Sequence, residues 1–178
     1  MKFRKTFIYR LWALFLTKLG DIMLATKPPR VKAEHIRELL RLSRPGDIIC
    51  RKYTYYFDSI FIKGEYTHSG VIIDPKNMIH STAEGVGKID VIDFVKDTDG
   101  FILLRPGRVD ISKMKTFLKS CVGKPYDFIF KKDDHAYYCH ELTWSALIRG
   151  GMKLPETGMI VYAEDIMKVC RKIYEPDL

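Results

Sequence analysis

Two short segments hold the residues best suited to covalent chemistry: Tyr66-Thr67-His68-Ser69-Gly70 and Tyr138-Cys139-His140-Glu141-Leu142. A thiol attacks a carbonyl as the thiolate, so it needs a base and a setting that favours negative charge. Cys139 stands where a helix is predicted to begin, and the unsatisfied amides and dipole of a helix N-terminus supply such a setting. His68, which leads into a predicted strand, offers an imidazole that titrates near neutrality. His80 falls across a predicted hairpin from His68, where its ring can orient the base as the third member of a triad. Spacing alone leaves a second reading open, since an isolated cysteine in an apolar stretch is usually core. Cys50, Cys121 and Cys170 fit that description better than Cys139 does.

The elements that must position these groups are readable from pattern. Phe3, Phe7, Leu11, Leu14, Phe15 and Ile22 recur at helical spacing with Arg4, Lys5, Arg10, Lys18 and Asp21 between them, which predicts a basic amphipathic helix over 2–24. Pro28-Pro29 ends it. Residues 32–42 read as a second helix, and Arg44-Pro45-Gly46-Asp47 turns into the strand Ile48-Ile49-Cys50. An aromatic segment, Tyr55 to Ile62, follows, and Gly70-Val71-Ile72-Ile73 returns through the turn Asp74-Pro75-Lys76-Asn77 into Met78-Ile79-His80-Ser81. Extended segments are expected near Gly85–Ile92 and at Phe101-Ile102-Leu103-Leu104. Asp110 or Ser112 caps a helix carrying Met114, Phe117, Leu118 and Cys121 on one face and stopping at Gly123. Helices over Glu141–Ile148 and Ala163–Lys172 complete the chain, with no internal repeat.

Composition bounds the function classes. At 178 residues, 47% hydrophobic and with ten Tyr, ten Phe and two Trp, the chain suits one compact domain and is not disordered. We divide it into the N-terminal helix, 1–29, and a domain over 30–178. Thirty Lys and Arg against 22 Asp and Glu give a net charge of +8, which fits a solvated basic surface, a phosphate-rich membrane or nucleic acid. Nucleic acid rests on charge alone, with no aromatic-basic motif behind it, and is not expected. Four scattered cysteines with no CxxC pair point to reduced thiols in a cytoplasm-like compartment. The run Leu11–Leu16 is bracketed by Arg10 and Lys18 and lacks a clean cleavage site, so neither a signal peptide nor a membrane span is expected. The helix either lies on an anionic membrane surface or docks on its own domain or a partner.

Taken together, Pro45-Gly46-Asp47-Ile48-Ile49, Tyr66-Thr67-His68-Ser69-Gly70, Gly123-Lys124-Pro125-Tyr126-Asp127-Phe128 and Tyr138-Cys139-His140-Glu141-Leu142 resemble the permuted papain-like amidases of the NlpC-type cell-wall peptidase superfamily, YiiX and YaeF type. The histidine-first, cysteine-last order is that group's, and the resemblance covers residues 44–150. It implies an α+β, circularly permuted papain-like fold, an antiparallel sheet packed against the cysteine helix, with the N-terminal amphipathic helix as an addition. It also implies Cys139 as nucleophile, His68 as general base and an orienting residue on the next strand. His80 departs there from the glutamate that YiiX-type proteins carry, and Glu84 is the reserve.

The same resemblance implies an acyl-enzyme mechanism on an amide or ester of peptide, cell-wall or lipid origin, with no metal or organic cofactor needed. Tyr126 and Asp127 are placed to line the cleft, with packing as the plainer role. Tyr66 and Tyr138 flank the reactive pair and can offer a hydroxyl to an oxyanion, for which the Cys139 amide is the more economical donor. His140 and Glu141 are expected to project away from the nucleophile, as surface groups or as groups that support the site from behind. The basic N-terminus and Tyr53-Thr54-Tyr55-Tyr56-Phe57 favour a lipid or acylated substrate at a membrane surface. The competing reading is a catalytically silent binding module of the same fold, holding a lipid or protein partner.

Overall fold

The computed structural model describes residues 7–20, 28–53, 64–131 and 133–178; the aromatic segment expected over Tyr55–Ile62 lies outside them. Its frame is a six-stranded sheet in the order β4-β3-β2-β1-β5-β6, every ladder of which is antiparallel. The strands are β1 (Ile48–Lys52), β2 (His68–Ile72), β3 (Asn77–Thr82), β4 (Gly85–Asp90), β5 (Gly100–Pro106) and β6 (Cys170–Tyr174). The helices are α1 (Phe7–Gly20), α2 (Ala33–Leu42), α3 (Val91–Val95), α4 (Ile111–Cys121), α5 (Cys139–Arg149) and α6 (Ala163–Val169).

Both faces of the sheet are covered, and the pleat sorts neighbouring residues between them. Ile48, Val71, Ile79, Ile102 and Leu104 point to one face, where Met114 and Leu118 of α4, Leu142, Ala146 and Leu147 of α5 and Ile166 of α6 meet them. Ile49, Ile72, Met78, Phe101 and Leu103 point to the other, against Leu39 of α2 and Val91, Phe94 and Val95 of α3. Continuous apolar runs such as Phe101–Leu104 suit strands buried on both sides. Each such side chain contributes about 1.5–3 kcal/mol by leaving water.

The hairpin that carries both histidines is fixed by its turn. Asp74 Oδ1 accepts the amides of Lys76 (3.0 Å) and Asn77 (2.9 Å), an Asx turn that sets the β2–β3 register. That register pairs Gly70 with His80. A Cβ at Gly70 would stand 3.1 Å from both His80 Cβ and the Ile79 carbonyl oxygen, so glycine lets β3 approach here without a shift of its backbone. The turn before β1 is held by buried Asp47, which accepts the Arg44 amide at 2.8 Å and two bonds from Arg105 at 2.7 Å.

The last element differs from expectation. The helix begins at Ala163 but ends at Val169, and Cys170–Tyr174 joins β5 as an edge strand. Over so few residues helical and extended apolar spacing coincide, and the free edge of β5 settles the matter through backbone pairing. The expected extended segment near Gly85–Ile92 is β4, but its end is capped into α3 by the Asp90 carboxylate, which accepts the Ile92 amide at 2.7 Å.

Candidate active site

Cys139 opens α5. Its predecessor Tyr138 is extended (φ −85°, ψ 169°) and donates its amide to Glu141 Oε2 at 3.3 Å. Eight of the 11 residues of α5 are buried, the whole first turn among them. The helix packs on β2 and β3, where the β2–β3 ladder stops at Gly70–His80. Past that point the cysteine takes the place of a strand partner: its Sγ lies 3.9 Å from the Thr67 carbonyl oxygen. The backbone amides of Ser69, His140 and Cys139 itself donate toward the sulfur. Burial pushes the thiol up to about 11, while those three amides and the Arg51 charge pull the other way.

The structure brings His68 and His80 together. His68 Nε2 lies 3.0 Å from His80 Nδ1, with the rings nearly perpendicular at 81°. Phe94 of α3 packs against both rings at 5.5 Å and fixes their tilt, on the face of the sheet opposite α5. Burial holds His68 well below the ordinary imidazole range, and the Arg51 charge adds to this. The same two causes bring His80 down to about 4. Arg51 faces His68 across the β1–β2 ladder, lies 4.2 Å over the Phe94 ring and donates to the Phe94 carbonyl at 2.6 Å. Both histidines are therefore neutral at neutral pH, and the bond between them needs one donor and one acceptor nitrogen. Glu84, the reserve for the third position, is exposed in the β3–β4 turn, so the hairpin register gives His68 an imidazole partner.

Other expectations are redistributed. His140 does not project away from the site; it is 3% exposed, and its Nδ1 lies 2.9 Å from Ser69 Oγ. Glu141 is likewise buried, as the cap of its own helix. Tyr66 and Tyr138 stand in the core rather than along a cleft. The Tyr66 hydroxyl is engaged by Glu175 and that of Tyr138 accepts the Val161 amide at 2.7 Å. Tyr126 is half-buried against Phe128, with ring centroids 4.8 Å apart, and Asp127 folds its carboxylate onto the amides of Ile129 and Lys131. Strand parity carried the missed signal. Ser69 shares the inward face with Val71 and Ile73, and a hydroxyl there requires a buried polar partner.

Cys50, Cys121 and Cys170 are buried free thiols, as expected of core residues. Among the described residues no group of three or more His, Cys, Asp or Glu can hold a metal ion.

Comparison with known proteins bears on the fold and the family. A search of curated protein sequences found no match. Among solved structures, the metalloprotein YiiX of Escherichia coli O157:H7 matches with a TM-score of 0.54 and 22% identity, over 65% of this chain and 71% of that one. At that identity the likeness is one of fold. The model of the permuted papain-like amidase enzymes, YaeF/YiiX, C92 family, matches residues 43–166, from the turn before β1 into α6. That span contains the hairpin with both histidines and the whole of the cysteine helix, and on it the chain belongs to the permuted papain-like amidase family.

Proposed function

We propose that the protein is a cysteine hydrolase or acyltransferase that cleaves an amide bond through an acyl-enzyme on Cys139. One observation carries the reading: the 3.0 Å contact between His68 Nε2 and His80 Nδ1, on the strand whose preceding carbonyl meets the Cys139 sulfur. With Nε2 turned to His80, the nitrogen of His68 left is Nδ1, and the reading requires it to reach the thiol, whose contact on β2 in this structure is the Thr67 carbonyl. For His68 to act as base, Nδ1 must hold the lone pair and Nε2 the hydrogen, which it donates to His80 Nδ1. His80 then carries its own hydrogen on Nε2 and serves as acceptor, selecting the productive tautomer of His68.

The reaction follows from that assignment. Cys139 attacks the carbonyl as its proton passes to His68 Nδ1, so that charge appears on thiol and imidazole together rather than on either alone in a buried site. His80 stabilises the imidazolium through its lone pair, and backbone amides at the start of α5 are the donors for the oxyanion. His68 returns the proton to the leaving amine, and water or another acceptor releases the acyl group with His68 again as base.

A lipid or acylated substrate at an anionic membrane is the form of this reading that α1 favours. Phe7, Ile8, Leu11, Trp12, Leu14 and Phe15 are each between 49% and 74% exposed, on a helix that also carries Arg10 and Lys18. Among the described residues no helix is long and apolar enough to cross a membrane, and a basic helix with an apolar face lies in the interface plane. Site-resolved labelling with iodoacetamide tests the enzyme reading. Cys139 should react faster than Cys50, Cys121 and Cys170 and slow in His68→Ala; equal rates at all four thiols would leave the silent binding module as the better account.

A further inference from the structure

The buried residue next to the nucleophile has a role that the His68–His80 pair leaves unassigned. His140 Nδ1 lies 2.9 Å from Ser69 Oγ, Ser69 Oγ lies 3.0 Å from Thr143 Oγ1, and Thr143 Oγ1 donates to the Cys139 carbonyl oxygen at 3.2 Å. All four residues are buried. Counting hydrogens gives the chain one direction. Thr143 has a single hydroxyl hydrogen and gives it to Cys139, so Ser69 must be the donor to Thr143. The one hydrogen of Ser69 is then used, so His140 must donate through Nδ1–H. His140 is thus the neutral Nδ1–H tautomer, and its Nε2 is a bare acceptor, buried without a hydrogen-bond partner among the described residues.

The chain ends on the two peptide units that serve the sulfur. The Cys139 carbonyl belongs to the same peptide plane as the His140 amide, and Ser69 contributes the other approaching amide from β2; both donate toward Cys139 Sγ. Gripping the carbonyl of one unit and the side chain of the residue bearing the other fixes where both N–H groups point. We propose that His140 is a positioning residue, which through Ser69 and Thr143 locks the amides of Ser69 and His140 onto the Cys139 thiolate. The proposal rests on Cys139 being the nucleophile. It also accounts for a histidine staying neutral in a closed setting: burial brings His140 down to about 4, opposed only by Asp165 of α6.

The test is the pH profile of Cys139 alkylation by iodoacetamide, read by peptide mapping in the full chain. The titratable and charged groups that act on Cys139 are Arg51 and Cys50 on β1, with His140 beside it on α5, and His68 and His80 act in turn with Arg51; all except His140 are unchanged in the variants. His140→Ala and Ser69→Ala each should slow labelling below the thiol's midpoint about tenfold, the scale of one hydrogen bond, and move the midpoint upward. The double variant should be no worse than either single one, because the chain acts as a unit. His140→Asn should recover most of the loss, since its amide nitrogen can donate as Nδ1–H does. Cys50, Cys121 and Cys170 report opening of the fold in the same digest and should stay protected.

Three results would overturn the proposal: an unchanged Cys139 profile in both alanine variants, an asparagine variant as slow as alanine, or exposure of the other three thiols in every variant. The last would make the chain a general brace. If Cys139 in the unaltered protein reacts no faster than the other thiols, it is the nucleophile assignment that has failed, and the comparison between variants then has no rate to act on.

Discussion

The two helices α1 and α5 invert the usual link between apolar content and burial. Helix α1, Phe-Ile-Tyr-Arg-Leu-Trp-Ala-Leu-Phe-Leu-Thr-Lys-Leu-Gly, is the more hydrophobic, yet six of its large apolar side chains are exposed. Tyr9 is its buried contact, donating to the Tyr126 carbonyl at 3.3 Å. Helix α5 begins Cys-His-Glu-Leu-Thr and is almost wholly buried. The difference lies in satisfaction of polar groups: Glu141 takes the Tyr138 amide, His140 pairs with Ser69, and Thr143 reaches both Ser69 and the Cys139 carbonyl. A polar helix can be buried when its groups are paired, and a water-excluded thiol is the result. An apolar helix left outside keeps its surface for another partner.

Changes on α5 and its strands should therefore abolish chemistry, while changes on α1 leave it intact. The largest effect is Cys139→Ala, which removes the nucleophile and should cost about six orders of magnitude in kcat, measured with any amide substrate the protein turns over. His68→Ala comes next, at about 10²–10⁴-fold for loss of a general base. His80→Ala should cost about tenfold through loss of the acceptor that selects the His68 tautomer. His80→Glu should retain activity and raise the pH at which it falls off on the acid side, because a carboxylate stabilises the His68 imidazolium more than a neutral ring does.

Acid sensitivity follows from the same burial. His80 and His140 are brought down to about 4 from an ordinary 6.5. The unfolded chain therefore binds more protons between those values, and folding stability falls as pH drops from about 6.5 to 4. Chemical denaturation across that range should show a falling midpoint, and His140→Asn should flatten it. The smallest effects belong to α1. Replacing Trp12 and Phe15 with Ser should leave thiol reactivity within about twofold, as for surface positions. Binding to anionic liposomes in a flotation assay should be lost on deletion of residues 1–27, and unchanged binding would remove the membrane reading.

Much of the site was legible because the rules that place it are local. The Asp74–Asn77 turn fixes the hairpin, the hairpin fixes His80 opposite the His68 strand, and the helix start fixes Cys139. What was not legible depends on long-range packing. Nothing near residues 139–143 says that α5 will press its first turn against β2, so the sequence leaves open whether His140 and Glu141 are surface groups or support the site from behind. Tyr66 and Tyr138 flank the reactive residues in sequence, but strand and helix geometry sends their rings into the core. The strand Cys170–Tyr174 forms because β5 has an open edge, which no window around residue 170 contains.

Cys139 as a nucleophile served by His68 is tested most directly by the mass of the protein after brief exposure to a p-nitrophenyl acyl ester, followed by peptide mapping. A single acyl group should form on Cys139, be missing in Cys139→Ser and form far more slowly in His68→Ala. An acyl group distributed over other residues, or one on Cys139 formed equally fast without His68, would contradict it.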